Sequence, residues 1–262
     1  MSLSPESLQL IAADPRWRTQ RIARVDTPDG PLLIKGQRPA RGPLRFKIMK
    51  WLSQLTRNPL LQPVPAHGGA RAQNTEVQRL RQLAAAGLPV PAVLHQAPDY
   101  IALQFLPGES LQHGLTQTPD LALRLFEQGL QAIGHVHQQG QYLSQAFARN
   151  IMVSSGQLWF IDFEDDPLEV MDLPQAQTRD WLAYLLSTLW MANAPQEALL
   201  QSWHRQFEQL DANTQNRLVQ SCDRLVWLRH LSNQRRPWGR DIVTLQALGD
   251  FLDRWRTHLN RA

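Results

Sequence analysis

Asn150 and Asp162 are the residues of this sequence best suited to chemistry, set twelve apart in Ala-Arg-Asn-Ile-Met-Val-(x)6-Phe-Ile-Asp-Phe-Glu. An amide oxygen and a carboxylate oxygen are hard ligands, of the kind that hold magnesium against phosphate groups. An acid and an amide do not position themselves, so the elements around them decide whether they meet. Ile151 to Val153 and Leu158 to Ile161 read as short strands around the turn Ser154-Ser155-Gly156. Such a hairpin sets Asn150 just before its first strand and Asp162 just after its second, on one side of a cleft. Three more carboxylates, Glu164, Asp165 and Asp166, follow directly. They read either as a solvated acidic turn or as a source of a further metal ligand or base.

Other elements lie upstream. Arg18 to Val25 and Pro31 to Lys35 read as strands flanking Thr27-Pro28-Asp29-Gly30, a hairpin signal. A basic, Pro-rich stretch over 36–72 contains a rough amphipathic helix from Leu44 to Thr56. Asn74 is a candidate cap for a helix running to Ala86 and stopped by Gly87, which puts Glu76 in its first turn or so. Val90 to Leu94 and Tyr100 to Phe105 read as strands, and Leu106-Pro107-Gly108-Glu109 breaks the pattern. Helical spacing follows from Leu121 to His137, Arg179 to Trp190, Gln196 to Leu210, Gln215 to Leu231 and Thr244 to Leu259. Strands with one helix, then mostly helices, define an α+β chain of two lobes with a cleft between them.

That order, with Lys35 ending a strand, Glu76 on the next helix, and Asn150 and Asp162 around a hairpin, resembles the protein-kinase-like superfamily. The nearest likeness is to small bacterial lipopolysaccharide-core sugar kinases and RIO-like kinases. The resemblance covers nearly the whole chain and implies a small lobe over 1–104 and a helical lobe over 105–262. It also implies roles. Lys35 binds ATP phosphates, Glu76 holds Lys35, and Asn150 and Asp162 hold Mg2+. Gln104 and Leu106 lie in a hinge whose backbone meets the adenine, and Asp180 braces the catalytic loop through its amides. Three departures accompany the match. Gln145 stands five residues before Asn150, where the superfamily carries its catalytic Asp, and a neutral amide accepts no proton. Glu164 replaces the usual Gly after Asp162-Phe163. No Gly-x-Gly-x-x-Gly occurs over residues 14–34.

Composition narrows the reading further. The 262 residues are 43% hydrophobic with a net charge of +4, enough for a substantial core. No apolar run approaches the roughly 20 residues that span a bilayer. A single cysteine, Cys222, forms no internal disulfide, and the expected compartment is the cytoplasm. The basic segment 44–56 would give peripheral contact at the inner membrane surface. No zinc spacing, His-Glu-x-x-His or Gly-x-Ser-x-Gly is present, and no nucleic-acid motif accompanies the basic residues. The expectation is an ATP- and Mg2+-dependent phosphotransferase with Gln145 and Asp162 at the chemistry. Its acceptor would be a hydroxyl on a glycan, lipid or protein, a lipid-linked or lipopolysaccharide-type glycan foremost. A pseudokinase that binds nucleotide and works through a protein partner stays open beside it, as does transfer of AMP.

Overall fold

The computed structural model describes residues 3–38, 64–65, 67–236 and 239–260. The amphipathic segment expected over Leu44 to Thr56 lies outside the described residues, as does most of the basic stretch around it.

Two short helices open the fold, α1 (Pro5–Ala13) and α2 (Arg16–Thr19). A strand from Arg18 was expected here, but the chain makes a helical turn after Pro15. That turn buries Trp17, whose indole N–H donates to the Ile11 carbonyl at 2.8 Å. Strand β1 (Ile22–Thr27) therefore starts later and pairs antiparallel with β2 (Gly30–Gly36). Helix α3 (Gly69–Ala85) follows the undescribed stretch. It begins at Gly68-Gly69, not at Asn74. Gly69 has φ +59 and turns the chain into the helix, while the Asn74 amide oxygen accepts from Gln96 at 2.8 Å. Glu76 accordingly sits about two turns into α3. Strands β3 (Val93–Gln96) and β4 (Tyr100–Gln104) complete an antiparallel sheet in the order β1-β2-β4-β3.

The two-residue period of the strands sorts this sheet into two faces. Leu32, Ile34, Tyr100 and Ala102 pack with Ile11, Trp17, Ala23 and Val25 under α1 and α2. On the opposite face Ile101 and Leu103 meet Val77, Leu80 and Leu83 of α3. Lys35, adjacent to Ile34, consequently emerges on the α3 side.

A short link leads to β5 (Glu109–Ser110), α4 (Leu111–Gly114) and α5 (Pro119–Gln138). Strands β6 (Ile151–Ser154) and β7 (Gln157–Phe160) then form the expected hairpin, with β5 as third strand. Its turn residues Ser155 and Gly156 both have positive φ, +50° and +76°, the hand that a two-residue hairpin turn favours. Four helices close the chain: α6 (Leu173–Thr188), α7 (Gln196–Glu208), α8 (Ala212–Leu225) and α9 (Arg240–Leu259). Helix α6 starts six residues before the expected Arg179, because Asp172 and Gln175 form a reciprocal capping box. Helix α8 ends at Leu225 and passes into a tighter turn, Val226–His230, instead of running to Leu231.

The helices share a core in which Trp203 meets Trp181 and Trp255 edge-on, with ring centroids 5.7 and 5.5 Å apart. The indoles thus serve packing. The same core runs without a break from α3 and β4 into α5, α6 and α7, so the two halves are joined by apolar contact as well as by the chain. This is the α+β arrangement expected from the sequence, a sheet with one long helix followed by a mostly helical part. No helix among the described residues is long and apolar enough to cross a membrane.

Candidate active site

Lys35 is the centre of the site. It ends β2 on the face turned toward α3 and is only 7% exposed. Its ammonium lies 2.7 Å from Glu76 Oε1, 2.8 Å from Asp162 Oδ1 and 2.9 Å from Glu164 Oε1. One helix and the loop after β7 thus converge on a single strand-end cation. The expected pairing of Lys35 with Glu76 is present, and Asp162 joins it across 127 residues of sequence. Burial pushes the Asp162 carboxyl up, but the charge and hydrogen bond of Lys35, with Arg21 and Arg38 nearby, outweigh it and hold the group below its ordinary value. Asp162 also has φ +70, a left-handed conformation that Asp tolerates better than most residues and that recurs at functional turns.

Asn150 ends a single helical turn, Ala148–Asn150, directly before β6. Its carbonyl accepts from the Ile161 N–H at 2.9 Å, which brings the two ends of the hairpin together next to Asp162. Its amide nitrogen donates to the Gln145 carbonyl at 3.3 Å, which leaves the amide oxygen for another partner. Gln145 itself donates from Nε2 to Asp165 Oδ2 at 3.1 Å. The loop carrying Gln145 is held from below by Asp180. Fully buried in the middle of α6, Asp180 accepts from the Leu143 N–H at 2.7 Å and faces His137 Nε2 at 3.2 Å. Asp180 thus ties the backbone at Leu143 and the His137 ring to α6. Asp166 is committed elsewhere, accepting from the Tyr142 hydroxyl at 2.8 Å and the Leu168 N–H at 2.9 Å.

Further ties bind α3 to the second half of the chain. Arg71 and His67 both reach Glu169, at 3.2 and 2.9 Å. Arg79 donates to the Tyr142 carbonyl at 2.8 Å and lies over the Tyr142 ring. Burial lowers the Arg79 pKa, yet the guanidinium keeps the neighbouring acids Asp166 and Asp180 in its field.

Sequence reasoning missed Arg21 and Arg38. Arg21 precedes β1 and pairs with Glu164; Arg38 follows β2 and lies 3.2 Å from Glu164 Oε2. The Gly36 N–H donates to the Arg21 carbonyl, and the Gly69 N–H to the Arg38 carbonyl, both at 2.7 Å, which fixes these backbones beside Lys35. No periodicity or motif signals two arginines that meet only through an irregular loop. The hinge pair fares differently. The N–H of Gln104 is taken by the Ala92 carbonyl at 2.9 Å, and Leu106 lies in the irregular link after β4. The Gln104 N–H is thus engaged within the sheet region and is not a donor for a ligand.

The described residues hold no group of three or more His, Cys, Asp or Glu arranged for a metal ion. Mg2+ does not need one. It is usually held by one or two protein oxygens, with phosphate and water completing its shell. The Asn150 amide oxygen and the Asp162 carboxylate fit that donor set. Two small spaces flank the network, one between Lys35, Arg38, Gly69 and Glu76, the other between Ser144, Gln145, Asp162 and Asp165. Each is about 10 Å³, room for roughly one water. A larger groove of about 780 Å³, lined by none of these residues, lies between α8 and the end of α9. Cys222 offers no alternative nucleophile, since burial pushes its thiol up to about 12.

No protein-family profile and no curated protein matches the chain. Among solved structures it is similar to the Mycobacterium tuberculosis PknI kinase domain, at 11% identity over 90% of each chain and a TM-score of 0.38. So distant a likeness speaks to neither activity nor substrate.

Proposed function

We propose that this chain is a phosphotransferase that uses ATP with Mg2+ and delivers phosphate to a hydroxyl, that of a lipid-linked or lipopolysaccharide-type glycan foremost. The observation that carries this reading is the Lys35 ammonium held between Glu76 and Asp162 at 2.7 and 2.8 Å, beside Asn150. A buried cation fixed by a helix carboxylate can bind phosphate without wandering in solvent. Mg2+ bound by Asn150 and Asp162 would supply charge neutralisation.

Among the acids after Asp162, Glu164 is engaged with cations and Asp166 with Tyr142. Asp165 accepts from Gln145 Nε2 at 3.1 Å and lines a small space together with Ser144 and Asp162, where an acceptor hydroxyl would meet it. In the proposed reaction the acceptor oxygen bonds to the terminal phosphorus of ATP, and the bond from that phosphorus to the bridging oxygen breaks. ADP leaves, and the hydroxyl proton passes to Asp165. A loose transition state asks chiefly for positioning and charge neutralisation, so a weak base suffices. The glycan acceptor and the membrane contact through 44–56 follow from the resemblance and the basic sequence alone.

The second reading, a pseudokinase acting through a protein partner, draws on Gln145 in place of an acid. Incubation with labelled ATP, Mg2+ and glycan, lipid and protein acceptors separates the two. Transfer that is abolished in Asp162→Ala supports the enzyme. Nucleotide binding without transfer to any acceptor supports the pseudokinase.

A further inference from the structure

Three cations converge on one acid at this site, and the acid lies where phosphate would be expected. Arg21 pairs with Glu164, Lys35 lies 2.9 Å from Oε1, and Arg38 lies 3.2 Å from Oε2. The Glu164 side chain is only 9% exposed. Glu76 and Asp162 also contact Lys35, so three acids balance three bases. Two guanidiniums and an ammonium around one centre form a stronger anion receptor than a carboxylate with two oxygens can saturate. The Arg21 Nε is buried and finds no acceptor among the described residues, which leaves a donor in the receptor unused.

The geometry points to a latch. We propose that Arg21 and Arg38 are phosphate-binding residues of this site, in place of a glycine-rich loop, and that Glu164 is their internal stand-in. This rests on the nucleotide reading of the site. Glu164 occupies the point where Arg21, Lys35 and Arg38 meet, so phosphate takes that place only when the carboxylate leaves it. The acid can leave by turning its own side chain, since Phe163 beside it is fully buried and Asp166 is held by Tyr142 and Leu168. The cations are anchored by contrast, Arg21 through its carbonyl to Gly36 and Arg38 through its carbonyl to Gly69. Opening therefore moves the acid and keeps the receptor.

A ligand's apparent affinity falls by the fraction of protein able to bind it. If the latch is closed in about nine molecules of ten, its removal tightens binding about tenfold. The test is calorimetric titration of Mg-ATP into wild type, Glu164→Gln and the double variant Arg21→Gln/Glu164→Gln, each checked for folding by its thermal transition. The expected result is at least about tenfold tighter binding by Glu164→Gln, lost again in the double variant. Equal or weaker binding by Glu164→Gln, with wild type still binding, overturns the latch and leaves the nucleotide reading standing. Absence of binding by all three overturns both. Should Glu164→Gln fail to fold, arginine side-chain NMR of the wild type decides. Mg-ATP must shift the Nε–H signals of Arg21 and Arg38, assigned through Arg21→Lys and Arg38→Lys, and bound nucleotide without those shifts refutes the proposal.

Discussion

Replacing Lys35 by Met asks how much of this fold depends on one cation. Glu76 is 3% exposed, and among the described residues its one charged partner is the Lys35 ammonium at 2.7 Å. Lys35→Met therefore leaves a buried carboxylate without compensation, a change that costs about 3–5 kcal/mol. For a domain of this size 1 kcal/mol moves Tm by about 2–4 °C, so the expected fall is about 6–20 °C. The reverse truncation is milder. In Glu76→Leu the ammonium keeps Asp162 at 2.8 Å and Glu164 at 2.9 Å, so the loss is smaller than in Lys35→Met. The double variant Lys35→Met/Glu76→Leu removes both charges, and Asp162 and Glu164 still have Arg21 and Arg38 nearby. Its loss falls short of the sum of the singles by about 2–3 kcal/mol, the upper range for contacting residues. Urea unfolding of the four proteins at one pH measures the cycle. If the two changes add to within about 0.5 kcal/mol, or if Glu76→Leu is the more damaging, the view of Lys35 as shared counter-ion is wrong.

Further consequences concern the residues around that pair. The Asp162 carboxyl is held below its ordinary value, so its contribution to stability is present above the unfolded-state pKa near 3.8 and is lost as pH falls through the lower folded value. Asp162→Asn should accordingly flatten the acid limb of a plot of urea midpoint against pH below about pH 4 and leave its slope near neutrality unchanged. Asp180→Ala strips the Leu143 N–H of a charged acceptor and should cost about 1.5–3 kcal/mol. Hydrogen exchange should show faster exchange at Leu143, and unchanged protection there refutes the brace. Gln145→Asp sets a second carboxylate where the amide now donates to Asp165 at 3.1 Å. Like charges this close raise one pKa, so the variant should lose stability relative to wild type as pH rises from about 4 through that raised value. A pH-independent difference between the two proteins argues that Gln145 and Asp165 do not meet.

Local patterns made the frame readable. The β6–β7 hairpin announced itself through Ser-Ser-Gly between short apolar runs, and its ends carried Asn150 and Asp162 to adjacent positions. Lys35 at a strand end and Glu76 on the following helix were expected as a pair through the resemblance to the kinase-like order of elements, and they meet although they lie 41 positions apart. Helix starts were less legible. Gly68-Gly69 reads as a turn and Asp172 as part of an acidic run, yet each opens a helix through backbone or capping geometry that spacing alone does not reveal. The meeting of Arg21 and Arg38 with Glu164 was beyond reach for a different reason. Their convergence comes from three irregular segments meeting in space, and an irregular segment has no period to read.

The central claim is that Lys35, Asn150 and Asp162 form a nucleotide and metal site. Calorimetric titration of ATP, with and without Mg2+, into wild type and Asp162→Ala tests it most directly. The account predicts binding to wild type that needs Mg2+ and that Asp162→Ala loses. Binding that ignores both the metal and the substitution contradicts it, as does a lack of binding under any condition.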